Sequence, residues 1–186
     1  ATFSSTVSIS NGNTSGVVMG DFDGSGNIDV AVARESAAGA VYLNNNSAPY
    51  FSSSSDDTFG GSTDDGLASG DFDGDGLDDI VTANGNVFIN DGAPTPFGPG
   101  GVDQALSLPD SSVVSGVTTA DINGDNKYDI VFSVTTDESY WAFVNDGSGS
   151  FRGANLQSTD AYSIAVDVAA DQPPSDATDG DTTDTD

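Results

Sequence analysis

Aspartates at alternate positions are the residues here whose type and spacing could do chemistry. In GDFDGSGNIDV, Asp21, Asp23, Ser25 and Asp29 fall at places 1, 3, 5 and 9 counted from the first Asp, and the Asn27 carbonyl fills place 7. GDFDGDGLDDI repeats the series with Asp71, Asp73, Asp75, the Leu77 carbonyl and Asp79. ADINGDNKYDI repeats it again with Asp121, Asn123, Asp125, the Lys127 carbonyl and Asp129. A chain coiling round a small cation turns every second residue inward, so the alternation builds a cage of hard oxygen ligands. Glycine at place 4 (Gly24, Gly74, Gly124) permits the tight turn, and Gly26, Gly76 and Asn126 at place 6 tolerate a left-handed backbone. Carboxylates packed this closely repel one another unless a cation sits among them. A flexible loop with many oxygens suits calcium better than magnesium, and about three ions are expected. By charge count loop 2, with four carboxylates, should bind most tightly.

The flanks separate these loops from an EF-hand. Place 12 holds Val32, Thr82 and Phe132 rather than Glu, and no helical pattern enters or leaves. The exits IDVAVA, DIVTA and DIVFSV are rich in β-branched residues and suit strands.

Composition narrows the chemistry further. Of 186 residues 30 are acidic and 3 basic, a net charge of −27, and all the acids except Glu35 and Glu138 are Asp. There is no Cys and no His, which removes disulfides, thiol chemistry, Ser-His-Asp catalysis and the usual zinc sites. Nucleic acid and anionic membrane surfaces are repelled by this charge, and no apolar run is long enough to span a bilayer. Paired carboxylates could in principle hydrolyse glycosides, but here they recur with the repeat, so a non-catalytic protein is expected. Ten Phe and a 35 % hydrophobic fraction are too many for a disordered acidic chain.

The elements that must hold the loops repeat with them. Asp21, Asp71 and Asp121 are fifty residues apart. Each loop is followed by a strand-like run, then VYLN at 41–44, VFIN at 87–90 or AFVN at 142–145, then a turn, then Phe51, Phe97 or Phe151. This predicts an all-β fold of four-stranded antiparallel units, with strands in the first at about 15–19, 28–34, 40–44 and 51–59.

The pattern D-x-D-G-D-G-x-x-D-I, followed by a strand, a V-x-L-N-like run, a turn and Phe, resembles the FG-GAP/VCBS repeat family, the calcium-loop blades of integrin-α-type β-propellers. The resemblance covers about residues 3–170 and implies propeller-like blades, with calcium ligands at the places named above. It divides residues 1–170 into a half blade at 1–10, blades at about 15–60, 65–110 and 115–160, and the opening strand of a further blade at 162–170. An acidic Asp/Thr tail follows at 171–186. A fourth loop begins at Asp171 but has Pro173 where a ligand belongs.

Three blades do not close a propeller ring, and half units at both ends leave strand edges open. The expected function is therefore a calcium-binding extracellular structural or adhesion module. It would assemble with further copies or with another propeller-forming chain through its incomplete terminal blades. A lectin-like propeller, with Tyr140 and Trp141 as a sugar-stacking shelf and glycans as partners, is the alternative; a processed fragment of a larger secreted protein is a third reading. Filling such loops needs more free calcium than the cytosol holds, so the expected location is extracellular or cell-surface, with a signal peptide already removed. Asn13 and Asn45 head glycosylation triplets.

Overall fold

The computed structural model describes residues 13–60, 66–92, 95–98, 101–108, 114–135 and 139–154. They form three four-stranded sheets, and no helix occurs among them. The first sheet runs β1 (Thr14–Gly20), β2 (Asp29–Arg34), β3 (Gly39–Tyr42) and β4 (Asp57–Phe59). The second runs β5 (Leu67–Gly70), β6 (Asp79–Thr82), β7 (Asn86–Phe88) and β8 (Gln104–Ala105). The third runs β9 (Val114–Ala120), β10 (Asp129–Val134), β11 (Ser139–Asn145) and β12 (Phe151–Ala154). Within each sheet, spatial order equals chain order and every pair is antiparallel.

Alternation along the strands decides where the core lies. On β2, Ala31 turns to the second sheet; on β6, Ile80 turns to the first sheet and Val81 to the third; on β10, Ile130 and Phe132 turn back to the second. Two apolar layers result. Phe22, Ala31, Val41, Phe59, Ile80, Phe88 and Phe97 fill the first, between sheets 1 and 2. Phe72, Val81, Val87, Ile130, Phe132, Phe143 and Phe151 fill the second, between sheets 2 and 3. The middle sheet therefore lends one face to each neighbour, as in other stacked repeats, and a third, smaller cluster of Val32, Ala40 and Tyr42, with Val30 and Phe51 against it, lies on the other face of the first sheet.

Two expectations need correction. The fourth strand does not begin at Phe51 but at Asp57, and in the second unit it is the two-residue Gln104–Ala105 rather than a run from Phe97. Only the third unit starts its outer strand at the Phe, Phe151. Pro49 precedes Phe51 by two residues and Pro96 directly precedes Phe97. A proline supplies no ladder N–H there, whereas Gly147–Ser150 before Phe151 contains none. Tyr140 and Trp141 cannot form one shelf. They are neighbours on β11, paired with Ser133 and Phe132, and so point to opposite faces; Trp141 packs on the second core layer. Residues 3–9, the strand at 162–170, the fourth loop and the tail lie outside the described residues.

One glycine marks how tightly the outer strands pack. Gly39 on β3 sits opposite Phe59 on β4, and a methyl placed on it would lie 2.2 Å from Phe59 Cζ. Gly39→Ala is expected to cost about 1–3 kcal/mol, read as a lower midpoint in urea unfolding with an unchanged slope. An unaltered midpoint would mean that the Phe59 ring is free to move aside.

Candidate metal centre

Each acidic loop joins the first two strands of its sheet, and the same hydrogen bonds shape all three. The place-1 aspartate turns back on the chain: Gly26, Gly76 and Asn126 donate their amides to Oδ2 of Asp21, Asp71 and Asp121 at 2.8, 3.0 and 2.8 Å. Place 3 accepts the amide of place 5, from Ser25 to Asp23, Asp75 to Asp73 and Asp125 to Asn123. Place 5 accepts the amide of place 7, on Ser25 Oγ, Asp75 Oδ1 and Asp125 Oδ1. The turn is left-handed at places 4 and 6, with φ of +70° and +79° at Gly24 and Gly26, +83° and +93° at Gly74 and Gly76, and +77° and +65° at Gly124 and Asn126. Glycine meets that demand without strain and asparagine at little cost, as expected from their spacing.

The place-9 aspartates are the deepest. Asp29, Asp79 and Asp129 are fully buried. Oδ2 of each accepts the amide of place 2, from Phe22, Phe72 or Ile122, at 2.9, 2.6 and 3.1 Å. Oδ1 accepts the amide of the asparagine just beyond the third strand's apolar run, from Asn44, Asn90 or Asn145, at 2.7, 2.7 and 2.8 Å. One carboxylate thus ties the start of the loop to the third strand, and its remaining lone pairs are left for a ligand.

In loops 1 and 2 the acids converge. Oxygens of Asp21, Asp23 and Asp29 lie within 4.8 Å of one another, and so do those of Asp71, Asp73 and Asp79. Asp75 stands outside the second trio, exposed, with Oδ1 taken by the Leu77 amide at 2.8 Å. Loop 3 has Asn123 in the place of an acid and forms no such trio. Its Lys127 reaches the Asp146 carbonyl at 2.7 Å and lies 4.0 Å from Asp125. Loops 1 and 2 therefore each bring three carboxylates together, and loop 3 does not.

Burial and mutual repulsion mark these carboxyls as short of a counter-charge. Burial, against the two amide hydrogen bonds and with added repulsion from Asp73 and Asp71, pushes Asp79 up to about 7. Asp29 and Asp129 move the same way for the same reason. Asp21 Oδ1 is buried and has no hydrogen-bond partner. The sign of the pH effect follows. A carboxyl near 7 when folded and 3.8 when unfolded binds its proton more tightly in the folded chain, so metal-free stability falls as pH rises from about 4 through 7. Urea midpoints in EDTA are expected to be lower at about pH 7.5 than at about pH 5; a rise instead would contradict the burial of uncompensated charge.

Loops 1 and 2 are also gripped by the next unit. Asn90 donates its side-chain amide to the Phe22 carbonyl at 2.9 Å, and Asn145 does the same to the Phe72 carbonyl at 2.8 Å. Asp78 accepts the Asp21 amide at 2.8 Å and returns its own amide to the Asp21 carbonyl at 3.1 Å. Phe22 meets Phe97 edge-on with ring centres 5.8 Å apart, and Phe72 meets Phe151 at 5.1 Å. Sequence reasoning gave the asparagines no role. The signal was there: an Asn closes the third apolar run of every unit.

Three acidic loops, each closing the inner hairpin of a four-stranded antiparallel meander, define an all-β repeat protein, and the acids of its first two loops are grouped so that they could hold a metal ion. The family model described as FG-GAP-like repeat matches residues 21–82 and again 71–132, and the chain belongs to that repeat family. No curated protein matches it. No helix among the described residues is long and apolar enough to cross a membrane.

Proposed function

We propose that the chain is a calcium-binding module of β-propeller type that serves as an extracellular structural or adhesion element and carries no catalytic activity. The three sheets would be its blades. The observation that carries this reading is Asp21 Oδ1, a buried carboxylate oxygen without a partner, inside a trio of carboxylates whose oxygens lie within 4.8 Å. Leaving such an atom unpaired is costly, and a hard divalent cation would satisfy it. Asp21, Asp23 and Asp29 would hold one ion and Asp71, Asp73 and Asp79 a second, with Ser25, Asp75 and the carbonyls of Asn27 and Leu77 within the same loops. In loop 3 Asp121, Asn123, Asp125, the Lys127 carbonyl and Asp129 would hold a third ion more weakly. The ion would neutralise the trio and fasten the inner hairpin, and through place 9 the third strand.

Compartment follows from affinity. Loops of this kind fill where free calcium is high, which favours the cell exterior. Assembly with further copies, or with another chain of the same repeat, is part of this reading, since three blades do not close a ring. Native mass spectrometry in calcium tests the site assignment: Asp21→Asn and Asp71→Asn are each expected to remove one tightly held ion and leave the other. Retention of both ions in either variant would place the metal elsewhere.

A further inference from the structure

The joint between neighbouring sheets is built twice in the chain, and a change of one residue leaves the second copy with a cavity. In both joints the outer strand of a sheet reaches the next unit in the same way: Asp57 and Gln104 accept the amides of Phe97 and Phe151 at 2.9 and 3.0 Å. Two residues further on, Phe59 pairs with Gly39, and Leu106 donates its amide to the Gly85 carbonyl at 2.8 Å. In the first joint the Phe59 ring fills the space between the sheets, its centre 5.5 Å from that of Phe88 and 5.7 Å from that of Phe97. In the second joint Phe143, paired with Ile130 as Phe88 is with Ile80, and Phe151 hold the corresponding places, but Leu106 brings no ring to them. A cavity of about 240 Å³ remains, lined by Leu106, Phe143 and Phe151. Trp141, two residues before Phe143 on β11 and so on the same face, adds a half-buried indole to its wall.

We infer that this cavity is a binding site for a small neutral aromatic molecule, its ring seated among Leu106, Trp141, Phe143 and Phe151 as the Phe59 ring is seated in the first joint. Size permits it: a cavity of about 150 Å³ lined by apolar side chains takes up benzene, so this one has room for a ring with a short substituent. The walls offer the ring aromatic faces and edges, the contacts that aromatic groups favour. Gln104 also lines the cavity, but its side-chain amide is engaged at both ends, donating to the Phe151 carbonyl at 3.0 Å and accepting the Phe151 amide at 3.0 Å. A sugar would bring several hydroxyls and leave most of them unpaired there, at a cost. Ser107 lines the cavity and is exposed, so a polar substituent can leave toward water on that side. The net charge of −27 disfavours an anionic ligand. No residue of the three acidic loops lines the cavity, so the inference stands independently of the metal reading.

Trp141 is the single Trp of the chain, so its fluorescence reports on the cavity. Titration of the full chain in calcium with benzyl alcohol is expected to give a saturable change in that emission, with a Kd of about 1 mM. Leu106→Phe restores the ring that the first joint has and is expected to weaken binding about tenfold or more, with a urea midpoint no lower than that of the wild type. Leu106→Met fills part of the space without a ring and is expected to weaken binding about threefold; it decides the matter if the larger side chain prevents folding. A wild-type response that never saturates, or a Kd unchanged by whichever of the two variants folds, would overturn the site. Saturation by glucose with none by benzyl alcohol would overturn the aromatic assignment. Neither result bears on calcium binding, which the same samples report separately by calorimetry.

Discussion

Asp79→Ala is expected to cost the chain about 3–5 kcal/mol and to abolish ion binding at loop 2. Asp79 is fully buried at the start of β6, and its two oxygens accept the amides of Phe72 and Asn90. Truncation leaves both amides without their acceptor, and a buried orphan costs about 1–3 kcal/mol. The damage spreads in both directions. Asn90 also holds the Phe22 carbonyl of the first loop, and the Phe72 carbonyl receives Asn145 from the third unit. Asp79→Asn should fall between, because an amide keeps one acceptor oxygen but turns an N–H₂ on the other donor. Asp75→Ala is the control: exposed and outside the trio, it loses one hydrogen bond to Leu77 and should cost about 1 kcal/mol. Urea unfolding of the three variants orders them, and equal costs for Asp75→Ala and Asp79→Ala would refute the staple.

Removing calcium is expected to have the second large effect. An ion that binds only the folded chain stabilises it by about 3 kcal/mol per loop when its concentration is a hundredfold over Kd. Two loops that each gather three carboxylates, with less from the third, imply a fall in Tm of about 10–20 °C on adding EDTA, at the 2–4 °C per kcal/mol usual for this size. Magnesium should restore little of it, since it demands a strict octahedron and holds its water. A full recovery in magnesium would make the loops general divalent sites.

Much of the loop was legible because its constraints are local. Alternating donors, glycine at place 4 and Gly26, Gly76 or Asn126 at place 6 reflect a turn closed within nine residues, and each hydrogen bond inside it spans two to seven positions. The strands after each loop were equally plain from their β-branched runs. What escaped was non-local. Asn90 and Asn145 act on carbonyls 68 and 73 residues away, so no window of sequence displays their partners, although the recurrence of Asn44, Asn90 and Asn145 marks the position. The outer strand was misplaced because Phe51 and Phe97 earn burial by packing on a core layer or a neighbouring loop rather than by ladder pairing, which the adjacent prolines prevent. Charge counting made loop 2 the strongest site by including Asp75, which in the fold is exposed, lies outside the trio and accepts the Leu77 amide on Oδ1.

Calorimetric titration of calcium into the chelated chain is the most direct test that these loops are metal cages fastening a row of sheets. The expected isotherm shows two tight sites of similar strength and a weaker third, with one tight site gone in Asp79→Ala. No heat of binding at any loop, together with a melt that EDTA does not shift, would contradict it.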